Sequence, residues 1–326
     1  MKANHGIVAA LTALLIAGAG EAAAQATYPD KAVRIIVGFV AAGPADISAR
    51  VVGDKLSQAW GQPVVIENVA GAGSNLAGER VAKSPPDGYT LLLGTNLQIA
   101  ANPSLYGRMS FDPVKDLVPI SQMVSTPNIL AINNDVPAKT VQELVALTRA
   151  QPGKHTFGSA GVGTSQHLSG ELFKSMAHLD IAHIPYRGGA PVITDLLGGR
   201  LTMFFGNISL VLPQIREGKL RGLAVTSAKR FGATPELPTM IESGFSGFEA
   251  IVTFGLLAPT GTSPAIIDKI HRDTVRALAM ADVRKRFDDL GMEVVGDTPA
   301  EYAASLRGEV PRWAKVIKEA GLKATD

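Results

Sequence analysis

"IVGFVAAGPADISAR", from Ile36 to Arg50, is an apolar run that ends in a loop of small residues and then turns amphipathic. An α/β chain leaves a buried parallel strand and enters a helix in this order. "AVRIIVGF" (Ala32 to Phe39) is short and β-branched enough for such a strand, and the spacing predicts a helix over Asp46 to Trp60. A helix start offers unpaired N–H groups and the positive end of the helix dipole, which is how this fold class builds an anion site. Asp46 would repel a carboxylate, so it is expected to cap the helix or to meet a ligand amine. The loop also reads as a tight strand-to-helix turn that binds nothing.

The same order recurs along the chain. "PVVIEN" (Pro63 to Asn68) and "YTLLLGT" (Tyr89 to Thr95) read as strands, with a helix over Gly73 to Ser84 between them. In the middle of the chain Thr140 caps a helix to Ala150. "KHTFGSA" then runs as a strand into a loop, and a helix covers Gly163 to Ala177. "IAHIPY", "LTMFFG" and "RGLAVT" read as strands, with helices near Pro191 to Leu197 and Ile208 to Glu217. Towards the carboxyl end, "LLAP" closes a strand. Ser263 with Pro264 opens one helix and the capping box Thr298/Glu301 opens another, with a break expected at Pro311 and a C-cap at Gly321. Two βαβ sets of this kind predict two α/β lobes, each a mostly parallel sheet flanked by helices. Ligands of such folds sit beyond the carboxyl ends of the strands and between lobes.

The chain has 326 residues, with 31 Lys+Arg against 29 Asp+Glu, a balance that points away from nucleic acid and from a membrane surface. It has no cysteine, which excludes a disulfide, a thiol nucleophile and a cysteine metal site and leaves no cysteine on which a bacterial lipoprotein anchor could be built. The six histidines form no ligand-spaced cluster, and neither a metal nor a cofactor is expected. Residues 1–26 read as a secretory signal peptide: Lys2, the apolar "GIVAALTALLIAGAG" and the small-residue "AQA" before Thr27. An exported chain without disulfides fits a bacterial periplasm.

A second candidate loop is "FGSAGVGTSQH", Phe157 to His167. It too follows a strand and opens a helix, and three glycines permit a tight path. Neither loop carries a basic residue. The P-loop Lys is missing and the dinucleotide fingerprint is not matched, so a nucleotide is not expected. Hydrolysis needs a nucleophile, a base and an acid. Ser165 and His167 are too close on one helix to face each other, and G-x-S-x-G is absent. A distant histidine such as His183 would have to approach Ser159 or Ser165. His167 reads as a packing or loop-ordering residue.

Several stretches, taken together and in order, resemble the receptors of tripartite tricarboxylate transporters, also called Bug-type periplasmic receptors. They include "YPDKAVRIIVGFVAAGPADISAR", "VIENVAGAGSNLAGERVAKSPPDGYTLLLGT", "FGSAGVGTSQHLSGELF" and "HIPYRGGAPVITDLLGGRLTMFF". "GKLRGLAVTSAKR", "ELPTMIESG" and "FGLLAPTGTSPAIIDKI" complete the set, so the resemblance runs from Tyr28 to Leu322. It implies a two-lobed periplasmic-binding-protein-like (Venus-flytrap) fold. One domain covers 27–124 plus 252–326 and the other 125–251, with hinges near Met123 to Asn128 and Phe248 to Thr253. It implies a periplasmic monomer, not an enzyme, that captures a small organic carboxylate in the cleft and passes it to membrane permease subunits. Family ligands are di- and tricarboxylates, aromatic carboxylates and amino acids. By position, Phe39, Ala42, Gly43, Ala45 and Asp46 form one ligand-binding loop, and Ser159, Gly161, Gly163, Thr164 and Ser165 the other. Asn96, Gln98, Asp195, Asn207 and Phe254 are further ligand-binding candidates at strand ends, with Phe254 as an apolar lid or as core. The chain departs from the family at Pro44, where a second Gly is usual and an N–H is lost. It departs also at Gly38, where Pro is usual, and at Thr253, where an aromatic is common. The alternatives are a secreted α/β-hydrolase-like enzyme, and a carboxylate sensor or scavenger without a transporter.

Overall fold

The computed structural model describes residues 28–324, and the expected signal peptide lies outside them. The first lobe is built on β1 (Val33–Val37), β2 (Val64–Asn68) and β3 (Thr90–Thr95), which pair in parallel in the order β2-β1-β3. The helices between them are α1 (Pro44–Trp60) and α2 (Asn75–Ala82), the latter preceded by a 3-10 turn at Ala72–Ser74. Two short helices, α3 (Asn96–Ala100) and α4 (Asn102–Leu105), follow β3. Every residue of β3 is buried, as a central parallel strand requires.

Strand β4 (Leu117–Asn133) has no counterpart in the expected element order. It is 17 residues long and runs through both lobes. Pro119 and Pro127 argue against a strand when read locally. Pro119 borders a register shift that absorbs the irregularity, and Pro127 is the last residue paired with the first lobe's β9 (Ile251–Pro259). From Asn128 onwards β4 pairs with second-lobe strands.

The second lobe contains α5 (Val141–Ala150), β5 (His155–Ser159), α6 (Ser165–Ala177), β6 (Ile181–Pro185), α7 (Gly189–Leu197), β7 (Met203–Asn207), α8 (Ile208–Arg216) and β8 (Leu220–Val225). The chain then returns along β9 to the first lobe and ends in α9 (Pro264–Ala279), α10 (Ala281–Asp289), the two-residue β10 (Glu293–Val294) and α11 (Pro299–Glu319). The capping box at Thr298 and Glu301 is formed. The break expected at Pro311 is not there: α11 continues through it, its flanks held by burial of Leu306, Trp313 and Ile317.

Strand direction positions the site. β5 pairs in parallel with β6 and β7, while β7 and β8 pair antiparallel to β4. In the first lobe β3 is antiparallel to β9, and β9 to β4. Each lobe is therefore parallel at its outer strands and antiparallel around β4. β1 and β3 run with β4, and β5 and β7 run against it, so both sets of carboxyl ends point at the switch between Pro127 and Asn128. α1 lays Ala45, Ala49, Val52 and Leu56 against Val33, Ile35 and Leu91 in the first core. Each large apolar side chain so buried contributes roughly 1.5–3 kcal/mol. α11 joins two cores: Tyr302 and Leu306 pack with Ile36, Leu92 and Leu257, and Trp313 and Ile317 with Phe173, Phe205 and Phe248.

Candidate ligand-binding site

The loop after β1 is drawn against the 3-10 turn. Ser74 Oγ donates to the Gly38 carbonyl at 3.0 Å. A Cβ on Gly38 would lie 2.4 Å from Ser74 Cβ, so only glycine fits. Ala42 follows in the left-handed region at φ 65°, a conformation costing a residue with a Cβ roughly 1–2 kcal/mol. Gly43 is the N-cap of α1 and Pro44 its first helical residue. Proline suits that position and removes one free donor, which leaves the N–H groups of Ala45 and Asp46 at the helix start.

Asp46 is 2% exposed and makes no N-cap bond. It accepts from the Ala42 N–H at 2.9 Å and from Asn68 Nδ2 at 3.0 Å, and both its oxygens meet the Arg50 guanidinium at 2.9 Å. Burial alone pushes its carboxyl up, but the bonds from Arg50, Ala42 and Asn68 together hold it below the usual value. Asp46 thus ties the loop, and its negative charge is paired. Asn68 also donates to the Phe39 carbonyl, while the Phe39 ring packs on the first core.

In the loop after β5 Ser159 is fully buried. Its Oγ donates to the Gly161 carbonyl at 3.0 Å, accepts from the Gly161 N–H at 3.2 Å, and lies 2.7 Å from His183 Nε2. Thr164 Oγ1 donates to the same carbonyl at 2.7 Å and caps α6 by accepting from the His167 N–H. Gly163, at φ 80°, donates its N–H to His167 Nδ1 at 3.1 Å, and a Cβ there would meet Leu105 Cδ2 at 2.7 Å. Among the described residues the N–H groups of Ser165 and Gln166, at the helix start, and the Ser165 hydroxyl keep no partner.

A histidine does approach Ser159, as hydrolysis would require. The acid of the constellation is missing: among the described residues no carboxylate touches His183. Burial pushes His183 down to about 4, too low for an efficient base near neutrality. No group of three or more potential metal ligands occurs among the described residues.

The strand-end candidates separate. Asn96 is spent on structure: Nδ2 donates to the Ile251 carbonyl and to Glu309, and Oδ1 accepts from the Thr253 N–H. Gln98 donates to the Ser74 carbonyl, with its Oε1 left buried and unpaired. Asp195 accepts from Tyr186 and pairs with Arg200. Phe254 is buried in the first core. Asn207, the N-cap of α8, accepts from Gln166 and donates to Asn128, which donates in turn to Ser169. Asn207 is thereby linked to the start of α6.

Sequence reasoning missed Asn68, Arg50, Asn128 and Gln166. Two carried a signal: Arg50 stands four residues after Asp46, and Asn68 falls opposite Val37 once β1 and β2 are paired in parallel. A hollow of about 800 Å³ lies where Lys229 and Phe231 face Arg284 and Met292 beside Pro127, and no candidate residue lines it.

The sequence model of the "Tripartite tricarboxylate transporter family receptor" matches residues 48–322. Protein BugT of Bordetella pertussis is 37% identical over 317 residues, 96% of this chain and 97% of its own. An R. palustris protein solved with adipate is 34% identical, with a TM-score of 0.83 over 91% of this chain and 99% of that one. MatC from Rhodopseudomonas palustris, with bound malate, is 31% identical, with a TM-score of 0.80 over 89% and 100%.

Proposed function

Since the chain belongs to the tripartite tricarboxylate transporter receptor family, we propose that it captures a small organic carboxylate between its two lobes and hands it to membrane permease subunits. No bond is made or broken. The observation that carries this reading is the pair of strand-to-helix loops. Ala45 and Asp46 N–H on one, and Ser165 and Gln166 N–H with the Ser165 hydroxyl on the other, are donors without partners among the described residues. Such donors hold an anion without a basic residue. The relatives solved with adipate and malate support a carboxylate with more than one acidic group.

The lobes divide as 27–124 plus 252–326 and 125–251. They close about Met123 to Asn128, which holds the partner switch of β4, and Phe248 to Thr253, where β9 begins. The protein works as a monomer in the periplasm after residues 1–26 are removed.

The test is a thermal-shift screen of residues 27–326 against adipate, malate, citrate, succinate, glutamate, nicotinate, benzoate and terephthalate. A ligand at a hundred times its Kd adds about 2.7 kcal/mol of stability. One acid is expected to raise Tm clearly, and Ser165→Ala to reduce the shift. Flat melting curves with every acid would overturn the reading.

A further inference from the structure

Three aromatic rings lie in a stack beneath the loop after β5: Phe157, then His183 at 4.9 Å, then His167 at 4.0 Å from His183. They come from β5, β6 and the first turn of α6. Resting on the carboxylate-receptor reading, we propose that His167 and His183 are positioning residues: two stacked neutral imidazoles that clamp residues 159–165 and so select which donors face the ligand.

Ser159 Oγ lies 3.0 Å from the Gly161 carbonyl and 2.7 Å from His183 Nε2, and it accepts the Gly161 N–H, so His183 is tied to the loop whichever partner donates the proton between them. His167 Nδ1 accepts the Gly163 N–H, so its proton is on Nε2, which lies 3.8 Å from Glu171 Oε1. The N–H groups of Gly161, Gly163 and Thr164 are all consumed inside the loop. Among the described residues the N–H groups of Ala160, Val162, Ser165 and Gln166 are left without a partner, and those of Ser165 and Gln166 stand at the start of α6. Without the clamp, the Gly163 N–H would swing free and compete for the same anion.

The groups facing His167 are His183 on β6, and Glu171 with Lys174 on α6. Phe157 adds no charge. Protonating His167 would set an N–H on Nδ1 against the Gly163 N–H, two donors face to face. Burial opposes this, holding His167 down to about 3.

The test separates the clamp from the receptor reading. Long-range 15N NMR of the ligand-free protein is expected to show His167 as the Nε2–H tautomer from pH 5 to 8, with a slowly exchanging Gly163 amide. An Nδ1–H tautomer, or titration near the free value of about 6.5, would overturn the proposal whatever binds. Binding of adipate and malate is then measured by calorimetry for two variants. His167→Asn keeps an acceptor where Nδ1 lies and should hold affinity within about threefold, whereas His167→Gln does not and should lose about tenfold. Equal affinities for the two variants would also overturn it. If neither acid binds the wild type while the tautomer is as expected, the clamp stands and only the choice of ligand fails.

Discussion

In the loop after β1 an ionised group gathers the chain: Asp46 collects the Ala42 N–H, the Asn68 amide and the Arg50 guanidinium. In the loop after β5 the same task falls to neutral groups, two hydroxyls and two imidazoles closing on Gly161 and Gly163. Both loops leave a strand and enter a helix with donors free. The difference is in what each tolerates. A charged tie is strong while its partners remain and costly once one is removed. A neutral tie depends on proton placement, so it is sensitive to which nitrogen carries the hydrogen.

The largest expected effect is on the charged side. Asp46→Ala removes the acceptor of the Ala42 N–H and the Asn68 amide and the partner of a half-exposed Arg50, and should lower stability by about 2–3 kcal/mol in urea unfolding. A loss under about 1 kcal/mol would mean that the loop is held by packing. In the native chain this contribution is present above the unfolded value of about 3.8 and is lost as pH falls through the lowered folded value.

The neutral side should yield at milder acidity. His167 and His183 are held at about 3 and about 4, below the free value of 6.5. Between pH 6.5 and 4 the unfolded chain takes up protons that the folded chain refuses, so stability falls as pH falls through that window. Each histidine is expected to account for about 2 kcal/mol between pH 7 and 5. Asp297, pushed up to about 6 by burial, acts in the opposite direction. The informative quantity is therefore the difference between wild type and His183→Gln, and matching pH profiles for the two would count against the histidines.

Glycine substitution sharpens the contrast further. Gly163→Ala must hold φ 80° with its Cβ against Leu105, and should cost about 1.5 kcal/mol. Gly43→Ala, at φ −81° with its first contact at 3.5 Å, should stay within about 0.5 kcal/mol of wild type. Comparable losses would erase the distinction between the loops. The smallest effect belongs to Pro44→Ala, which frees the chain and restores a donor. We expect about 0.5 kcal/mol less stability and carboxylate binding tightened by less than about threefold. Weaker binding would show that Pro44 shapes the loop rather than merely lacking an N–H.

The two loops were legible because small residues between an apolar run and an amphipathic one carry their meaning locally. The long strand β4 was not. Pro119 and Pro127 interrupt the local pattern, and only the pairing with β9, more than a hundred residues away, makes a strand of it. The same holds at Pro311, where burial of Leu306 and Trp313 on either side outweighs a lost hydrogen bond. Asn96, Asp195 and Asn207 look alike in sequence, each a polar residue near a strand or helix end. What separates them is the distant partner: Glu309 for Asn96, Tyr186 for Asp195, and Asn128 with Gln166 for Asn207. Spacing along a chain carries no record of such partners.

A strand shared by both lobes has a consequence for melting. β4 gives an inner strand to each half, and α11 gives side chains to a core on each side. Neither half can lose its order and leave the other's sheet intact. Two lobes that look separable should unfold as one cooperative unit, with calorimetric and van't Hoff enthalpies in agreement. A ligand touching only the seam would then steady the whole chain at once.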